Sequence, residues 1–302
     1  MIRPLLFPVG LCFFLIGGSC SQTPEPVAFV NSKKASTDDS LIVKSISFIN
    51  EEGRTIKDRF PEPQDYQRKE LPNHSFGGYL RNFPLQPHGA KVKFYDGNEK
   101  SNIGIYLAVL DQEIGNQDLH QCADAIMNLY ARHHYENKRY DKIHFNFTNG
   151  WRCDFKKYAD GYRINFNGNK TSWIKKKEAS YSLKTFEEYL IWIYKFCGTA
   201  SLEKELNKVE DFSDIQIGDV LIKGGFPGHA VLVIDLIENS EGNKKFLLAQ
   251  SYMPAQQMQI LQNPMNEDKD NPWYDLSALQ ANTIKTPEWI FTKEQLMRFS
   301  GQ

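Results

Sequence analysis

The chain has 302 residues, of which 41% are apolar and 24% charged, and its net charge at pH 7 is −1. Proteins that bind nucleic acid carry an excess of Lys and Arg, so this balance predicts no nucleic-acid partner. Aromatic residues make up 13% of the sequence, which is enough for one sizeable hydrophobic core, and the length allows one or two domains.

Residues 1–19 have the pattern of a secretory signal peptide. Arg3 precedes an apolar run at residues 5–16, small residues follow, and Cys20 comes next. The run is too short and too interrupted for a stable membrane span, which needs about 20 residues. Its end resembles the lipobox of bacterial lipoproteins, although Gly17 stands where Leu is usual. The resemblance implies cleavage before Cys20, lipidation of Cys20 (palmitate included), and a membrane anchor in the bacterial cell envelope, more often at the outer membrane.

The rest of the chain is predicted to be a tether followed by one domain. Residues 20–45 are rich in Ser, Thr, Pro and Asp and read as a flexible linker. Residues 46–302 contain no repeat and mix helical with alternating patterns, which predicts a single α+β domain. In chain order, the predicted elements are strands at 90–95 and 103–110, a helix at 118–136 capped by Asp118, strands at 142–148 and 161–166, a helix at 184–196 closed by Gly198, a short helix from Ser201, strands at 229–237 and 245–252, and a last helix from Thr292.

Cysteine usage points to one residue as a candidate nucleophile. If Cys12 leaves with the signal peptide and Cys20 carries lipid, then Cys122, Cys153 and Cys197 remain, and at least one cannot pair within the chain. Cys122 lies in the first turn of a predicted helix, where free N–H groups and the positive end of the dipole are expected to lower a thiol pKa. Its apolar neighbours at helical spacing leave open that it is simply a core residue.

The stretch GHAVLVIDL places a histidine at the mouth of an apolar strand. Asp235 lies on the same strand face as His229, but about 20 Å away, so it cannot orient the imidazole. The predicted hairpin brings its second strand alongside, with residues 250–253 across from His229. Gln250 is therefore the candidate partner of the ring, and Ser251 and Tyr252 are the alternatives if the register differs.

These residues resemble the papain-like cysteine hydrolases, especially the NlpC/P60 and CHAP-type cell-wall amidases and endopeptidases. The resemblance implies a single papain-like domain with an antiparallel sheet and a nucleophile-bearing helix, and needs no cofactor. Cys122 matches the nucleophile, His229 the base and Gln250 the orienting residue. The chain departs from the pattern in having QCADA around the cysteine, and residues 140–210 would be an insertion.

The same resemblance implies an amide hydrolysis. Backbone N–H groups at the start of the helix, with Gln117 or Gln121, would stabilise the oxyanion, and Gly228 and Tyr252 would line the substrate site. An envelope location suggests peptidoglycan peptides as the substrate.

A second resemblance covers nearly the whole mature chain. The segments DLHQCADAIMNLYA, GTASLEKEL, PGHAVLVID and LLAQSYMPAQ look like an uncharacterised family of bacterial envelope proteins labelled as a domain of unknown function. This resemblance implies a location and no activity.

Two other classes of protein stay open. A papain-like scaffold without activity could bind wall fragments or a partner protein, and a purely structural lipoprotein would have neither a Cys–His contact nor a cleft. The histidines at 120, 133, 134 and 144 lack the spacing of zinc sites, so we expect no metal.

Overall fold

The structure is a computed structural model that describes residues 47–72, 74–168, 170–279 and 282–301. The predicted signal peptide, the predicted lipidation site Cys20 and the whole of the predicted tether lie outside these ranges. None of the helices within them has the length and apolar character that a membrane span requires.

Short helices and strands alternate along the described chain. The helices are α1 (Ile56–Arg59), α2 (Phe76–Arg81), α3 (Cys122–Glu136), α4 (Phe155–Ala159), α5 (Leu183–Phe196) and α6 (Thr199–Glu205). The strands are β1 (Tyr66–Gln67), β2 (Tyr106–Val109), β3 (His144–Asn146), β4 (Arg152–Asp154), β5 (Tyr162–Asn167), β6 (Lys170–Lys175), β7 (Asn207–Lys208), β8 (Val220–Lys223), β9 (His229–Asn239), β10 (Lys244–Gln250), β11 (Gln259–Leu261), β12 (Tyr274–Asp275), β13 (Thr283–Lys285), β14 (Ile290–Thr292) and β15 (Leu296–Arg298).

Nine of the described strands form one antiparallel sheet. Its order is β2-β11-β10-β9-β8-β15-β7, and β1 and β12 pair with β9 and β10 respectively. The hairpin of β9 and β10 is the longest pairing, and a bulge between Leu247 and Leu248 shifts its register. The described chain is therefore α+β with an antiparallel sheet, as the sequence predicts.

Strand β9 is buried on both faces, which fixes the position of its first residue. Ala230, Leu232 and Ile234 belong to the core that α3 covers. Val231 and Val233 point to the opposite face, into a second core that includes Phe291 of β14 and Leu296 of β15. Each fully buried aliphatic side chain contributes about 1.5–3 kcal/mol relative to exposure, so a slip of this strand by one residue would be costly.

Three predicted elements differ in the structure. Residues 90–95 form isolated bridges, Lys93 with Glu99 and Phe94 with Gln256, instead of a strand. The last helix from Thr292 is only a 3-10 turn at Lys293–Gln295, because the residues that follow join the main sheet as β15. Gly198 does not close α5 and instead precedes the first residue of α6.

The segment between Cys122 and His229 adds two small hairpins and three helices to the sheet domain. The hairpins are β3–β4 and β5–β6, and α5 packs against α3 and α4. Aromatic rings fill the space between these elements, as in the stack of Tyr135 of α3 on Phe186 of α5, with ring centroids 4.3 Å apart. Part of the suggested insertion thus packs against α3 through α5 and α6, and its last strand, β7, joins the main sheet.

Candidate functional site

Cys122 is the first residue of α3, where helical N–H groups have no intrahelical partner. Gln121 is the N-cap residue, and its N–H donates to the Asp124 carboxylate at 3.1 Å. The prediction that Asp118 caps this helix is wrong. The Asp118 carboxylate instead accepts hydrogen bonds from the Gln121 side chain at 3.0 Å and from the backbone N–H of Ala255 at 2.7 Å, so it ties the helix start to the loop after β10.

The thiol of Cys122 faces the start of β9. The backbone N–H groups of Ala123, Ala230 and Cys122 itself act on it and favour the thiolate. Ala230 is the residue after His229, so the thiol lies beside the strand mouth that carries the imidazole.

Burial nevertheless raises the pKa of the Cys122 thiol to about 11, and the Asp124 carboxyl acts in the same direction. Cys122 is only 9% exposed. A buried thiolate loses its contact with water, and this cost outweighs the stabilisation of the thiolate by three N–H groups. The expectation that the helix start lowers this pKa is therefore wrong.

The imidazole of His229 is held by Gln250. Nε2 of His229 lies 2.8 Å from Oε1 of Gln250, at the open end of the β9–β10 hairpin. Ser251, one of the alternatives, turns away and donates to the carbonyl oxygen of Gln256 at 2.7 Å.

The orientation of the Gln250 amide determines which nitrogen of His229 carries the proton. Nε2 of Gln250 donates to the Glu288 carboxylate at 2.6 Å, and a carboxylate can only accept. The amide oxygen therefore faces His229, and this oxygen also can only accept. The ring must carry its proton on Nε2, which leaves the lone pair of the neutral imidazole on Nδ1.

The Glu288 carboxylate is itself fixed by a buried lysine. Nζ of Lys100 lies 3.0 Å and 3.2 Å from its two oxygens and also donates to Oε1 of Gln256 at 3.0 Å. We call Lys100, His229, Gln250, Gln256 and Glu288 the His229 network. Its polar side chains are linked in one continuous series from the lysine to the imidazole.

Both partners of the candidate dyad are neutral in this arrangement. Burial lowers the pKa of His229 to about 4. The hydrogen bond that the ring donates to the Gln250 oxygen raises this pKa, and the charge of Lys100 lowers it further. In the part of the chain that the structure describes, no hydrogen bond joins the Cys122 thiol to the His229 ring, and Nδ1 has no partner. Neither group is among the causes that shift the pKa of the other, so the site holds a neutral thiol and a neutral imidazole with no ion pair between them.

Aromatic rings enclose His229, which is only 1% exposed. Tyr252 packs edge-on with its ring centroid 4.7 Å from the imidazole, and Trp289 and Phe291 lie at 5.5 Å and 6.0 Å. Burial and the charge of Glu288 raise the pKa of Tyr252, and a Cys122 thiolate would act in the same direction, so the thiol lies within electrostatic range of the ring that packs on the imidazole.

The two other predicted substrate-binding residues have structural contacts. The side chain of Gln121 is engaged with Asp118, as described above, and is not free to turn towards the thiol. Gly228 is needed because a Cβ there would lie 2.4 Å from the carbonyl oxygen of Gly225 and 2.5 Å from Oγ1 of Thr199. The exposed tip of that loop is Phe226, whose residue is 95% exposed.

Lys100 and Glu288 are the site residues that sequence reasoning missed. They lie far from Gln250 along the chain, and neither has a local motif around it. Only the prediction that a buried Gln side chain must bond through both ends of its amide could have pointed to a further partner.

The histidines considered as a metal cluster do not form one. Within the described ranges, no group of three or more His, Cys, Asp or Glu side chains is placed to hold a metal ion. His120 lines a separate cavity of about 240 Å³, and both of its ring nitrogens are buried without a partner. Cys122, Cys153 and Cys197 are all free thiols.

Comparison with known proteins identifies one family. A family model described as a domain of unknown function, DUF4846, matches residues 56–298, which is most of the chain. No curated protein and no solved structure matches the chain.

Proposed function

The chain belongs to the DUF4846 family, whose description assigns no activity, and we propose that it is a papain-like cysteine hydrolase that cleaves an amide bond. Cys122 is the nucleophile, His229 the general base and Gln250 the residue that orients the base. An amidase or endopeptidase acting on peptidoglycan peptides is the form of this activity that best fits an envelope protein.

The observation that carries the proposal is the fixed tautomer of His229. Gln250 is held by Glu288 so that its oxygen accepts from Nε2 of the ring, at 2.8 Å. A neutral imidazole with its lone pair on Nδ1 is the form that a general base requires.

The reaction then follows from the protonation states. Nδ1 of His229 takes the proton from Sγ of Cys122 as a bond forms between Sγ and the carbonyl carbon of the amide. The N–H groups at the start of α3 stabilise the oxyanion. The C–N bond breaks, the imidazolium gives its proton to the leaving amine, and water hydrolyses the thioester to release a carboxylic acid and restore the thiol.

A binding protein without activity is the second candidate. The observation that favours it is the closed state of the site, where burial raises the pKa of Cys122 to about 11 and His229 is 1% exposed. A binding protein would use the rings of Tyr252 and Trp289 rather than the thiol.

The test is the rate at which iodoacetamide alkylates each cysteine of the full-length protein between pH 6 and pH 11, resolved by peptide mapping. If His229 acts as the base, Cys122 reacts at pH 7 faster than its own pKa of about 11 would allow without a base. Replacing His229→Ala then slows Cys122 about tenfold or more. Cys197, which is partly exposed, is the internal control and should be unaffected.

Equal rates for Cys122 in the wild-type protein and in His229→Ala would show that the imidazole does not act on the thiol. The proposal of a binding protein without activity would then be better supported than the hydrolase. A matched control variant is His88→Ala, at a partly exposed histidine outside the site, which should leave all three rates unchanged.

We also propose that Cys20 carries the lipid anchor, on the basis of the lipobox-like sequence before it. Mass spectrometry of the N-terminal peptide from purified membranes should find acyl chains on Cys20, and Cys20→Ser should move the protein out of the membrane fraction. An intact residue 1 in the mature protein would contradict this proposal.

A further inference from the structure

A cavity of about 540 Å³ lies against the carboxyl end of α3, on the far side from Cys122. Its basic side chains include Lys69, His133, His134, Arg139 and Lys244. We call it the basic cavity. His133 follows Cys122 by eleven positions, which is about 17 Å along a helix at 1.5 Å per residue, so the basic cavity is separate from the candidate active site.

Little negative charge is available to the basic cavity. Glu238 is the one carboxylate among its described lining residues, and it pairs with Lys69 at 2.6 Å. Arg139 and Lys244 donate to backbone carbonyl oxygens, of His74 and Ser213 respectively. Neither of these two cations forms an ion pair with any described residue, although Asp141, Asp211 and Asp219 act on His134 and Lys244 from a longer distance, so the wall keeps an excess of positive charge.

Two buried histidines of the wall lack hydrogen-bond partners. His134 is 7% exposed, and both of its ring nitrogens are buried without a partner. His133 is 1% exposed, and its Nδ1 is also buried without a hydrogen-bond partner. A buried polar atom without a partner costs about 1–3 kcal/mol. These two adjacent imidazoles leave three ring nitrogens without a partner in residues that line the basic cavity.

The size and the remaining wall of the cavity define the ligand further. A volume of about 540 Å³ exceeds what a bare inorganic anion fills and lies in the range of small-molecule sites. Leu71, Phe76 and Ile215 line another part of the wall and suit an organic body. The separate basic groups outnumber the two oxygens of a carboxylate, whereas a phosphate group offers more oxygens for charge-assisted bonds.

We propose that the basic cavity binds a small organic phosphate, whose charge pairs with Arg139 and Lys244 and whose oxygens accept from the imidazoles of His133 and His134. The phosphate comes either from a soluble metabolite or from a lipid headgroup. This site does not depend on the proposed hydrolase activity.

Isothermal titration of the full-length protein tests the proposal with four probes. Glycerol 3-phosphate and inorganic phosphate represent the soluble source, dihexanoyl phosphatidylglycerol below its micellar concentration represents the headgroup, and glycerol is the uncharged control. We expect saturable binding of at least one phosphate-bearing probe and none of glycerol. Preference for glycerol 3-phosphate identifies the soluble source, and preference for the short lipid identifies the headgroup.

Two variants locate the binding. His134→Phe keeps a ring of similar shape against Tyr130, and Arg139→Gln removes one of the two cations that have no ion pair; each should weaken binding at least tenfold. His88→Gln is the control for a histidine outside the cavity and should bind as the wild-type protein does. Absence of saturable binding by all three phosphate-bearing probes overturns the proposal, as does binding that both variants, folded by circular dichroism, leave unchanged.

Discussion

The His229 network and the basic cavity place buried histidines in opposite situations. His229 bonds to Gln250, and Gln250 is bonded in turn to Glu288. His134 is buried to a similar degree, yet neither of its ring nitrogens has a partner. A buried nitrogen with a partner contributes to stability, and one without a partner costs stability. The first region has been completed by the fold itself, whereas the second remains incomplete without a ligand.

The largest expected effect comes from removing the charged end of the His229 network. Glu288→Ala leaves the buried ammonium of Lys100 without a carboxylate and the amide nitrogen of Gln250 without an acceptor. We expect the free energy of unfolding to fall by about 2–4 kcal/mol. Urea unfolding measures it, with the exposed Glu267→Ala as the matched control. A loss below about 0.5 kcal/mol would show that the network does not stabilise the fold.

A smaller loss is expected when the imidazole itself is removed. His229→Phe keeps a ring among Tyr252 and Phe291 but leaves Oε1 of Gln250 buried without a donor. The free energy of unfolding at pH 7 should fall by about 1–3 kcal/mol. Thermal unfolding followed by circular dichroism can check this value. An unchanged stability would mean that Gln250 finds another donor, and the contrast with the basic cavity would then weaken.

The pH dependence of stability should be the same in kind for both regions. Burial lowers the pKa of His229 and of His134 to about 4, against about 6.5 in the unfolded chain, and neighbouring cations add to the effect. The unfolded chain therefore binds more protons between these values, so each histidine lowers stability as the pH falls from about 6.5 to 4. The slope is at most about 1.4 kcal/mol per pH unit for each histidine.

Variants at either histidine should reduce this slope by the same amount. The measurement is urea unfolding of His229→Phe, His134→Phe and the wild-type protein at several pH values from 7 to 4. Parallel curves for a variant and the wild-type protein would show that the replaced histidine is already protonated in the folded protein near pH 6.

The smallest effect should be that of His134→Phe at pH 7 without added anions. The substitution removes two buried nitrogens that have no partner and keeps the edge-on contact with Tyr130, whose ring centroid lies 4.5 Å from that of His134. Stability should stay equal or rise by up to about 1 kcal/mol. Differential scanning calorimetry can resolve a change of this size, and a loss above about 1 kcal/mol would show that the nitrogens already have a partner, such as water.

Strong periodicity made part of the fold predictable. The helices α3 and α5 and the hairpin of β9 and β10 have apolar residues at regular spacing, and they form within a few residues of the predicted bounds. Residues 90–95 alternate in the same way but form only isolated bridges, with Glu99 and Gln256, because no long strand of the described chain lies beside them. The residues after Thr292 favour a helix by themselves, but Leu296–Arg298 pair with β8 in the main sheet and form β15 instead.

In the candidate site, too, contacts set by local pairing could be predicted and contacts set by tertiary packing could not. The contact of His229 with Gln250 could be predicted because a hairpin brings the end of its second strand close to the start of its first. The register pairs Ala249 with Leu232, so Gln250 is not directly opposite His229, and its side chain reaches the ring from a nearby position. Glu288 and Lys100 reach the same site through tertiary packing, which no local pattern encodes. The thiol pKa was predicted in the wrong direction, because the helix start is readable from sequence and the depth of burial of Cys122 is not.

The amide at position 250 has a consequence for how related sequences can vary. Its two ends face groups of opposite hydrogen-bonding character, the Nε2–H of His229 and the Glu288 carboxylate. An acidic residue at 250 would set two carboxylates side by side, so relatives that carry one should have lost the carboxylate at 288 and with it the need for Lys100. Positions 100, 250 and 288 should therefore change together during evolution, although they are scattered across most of the domain.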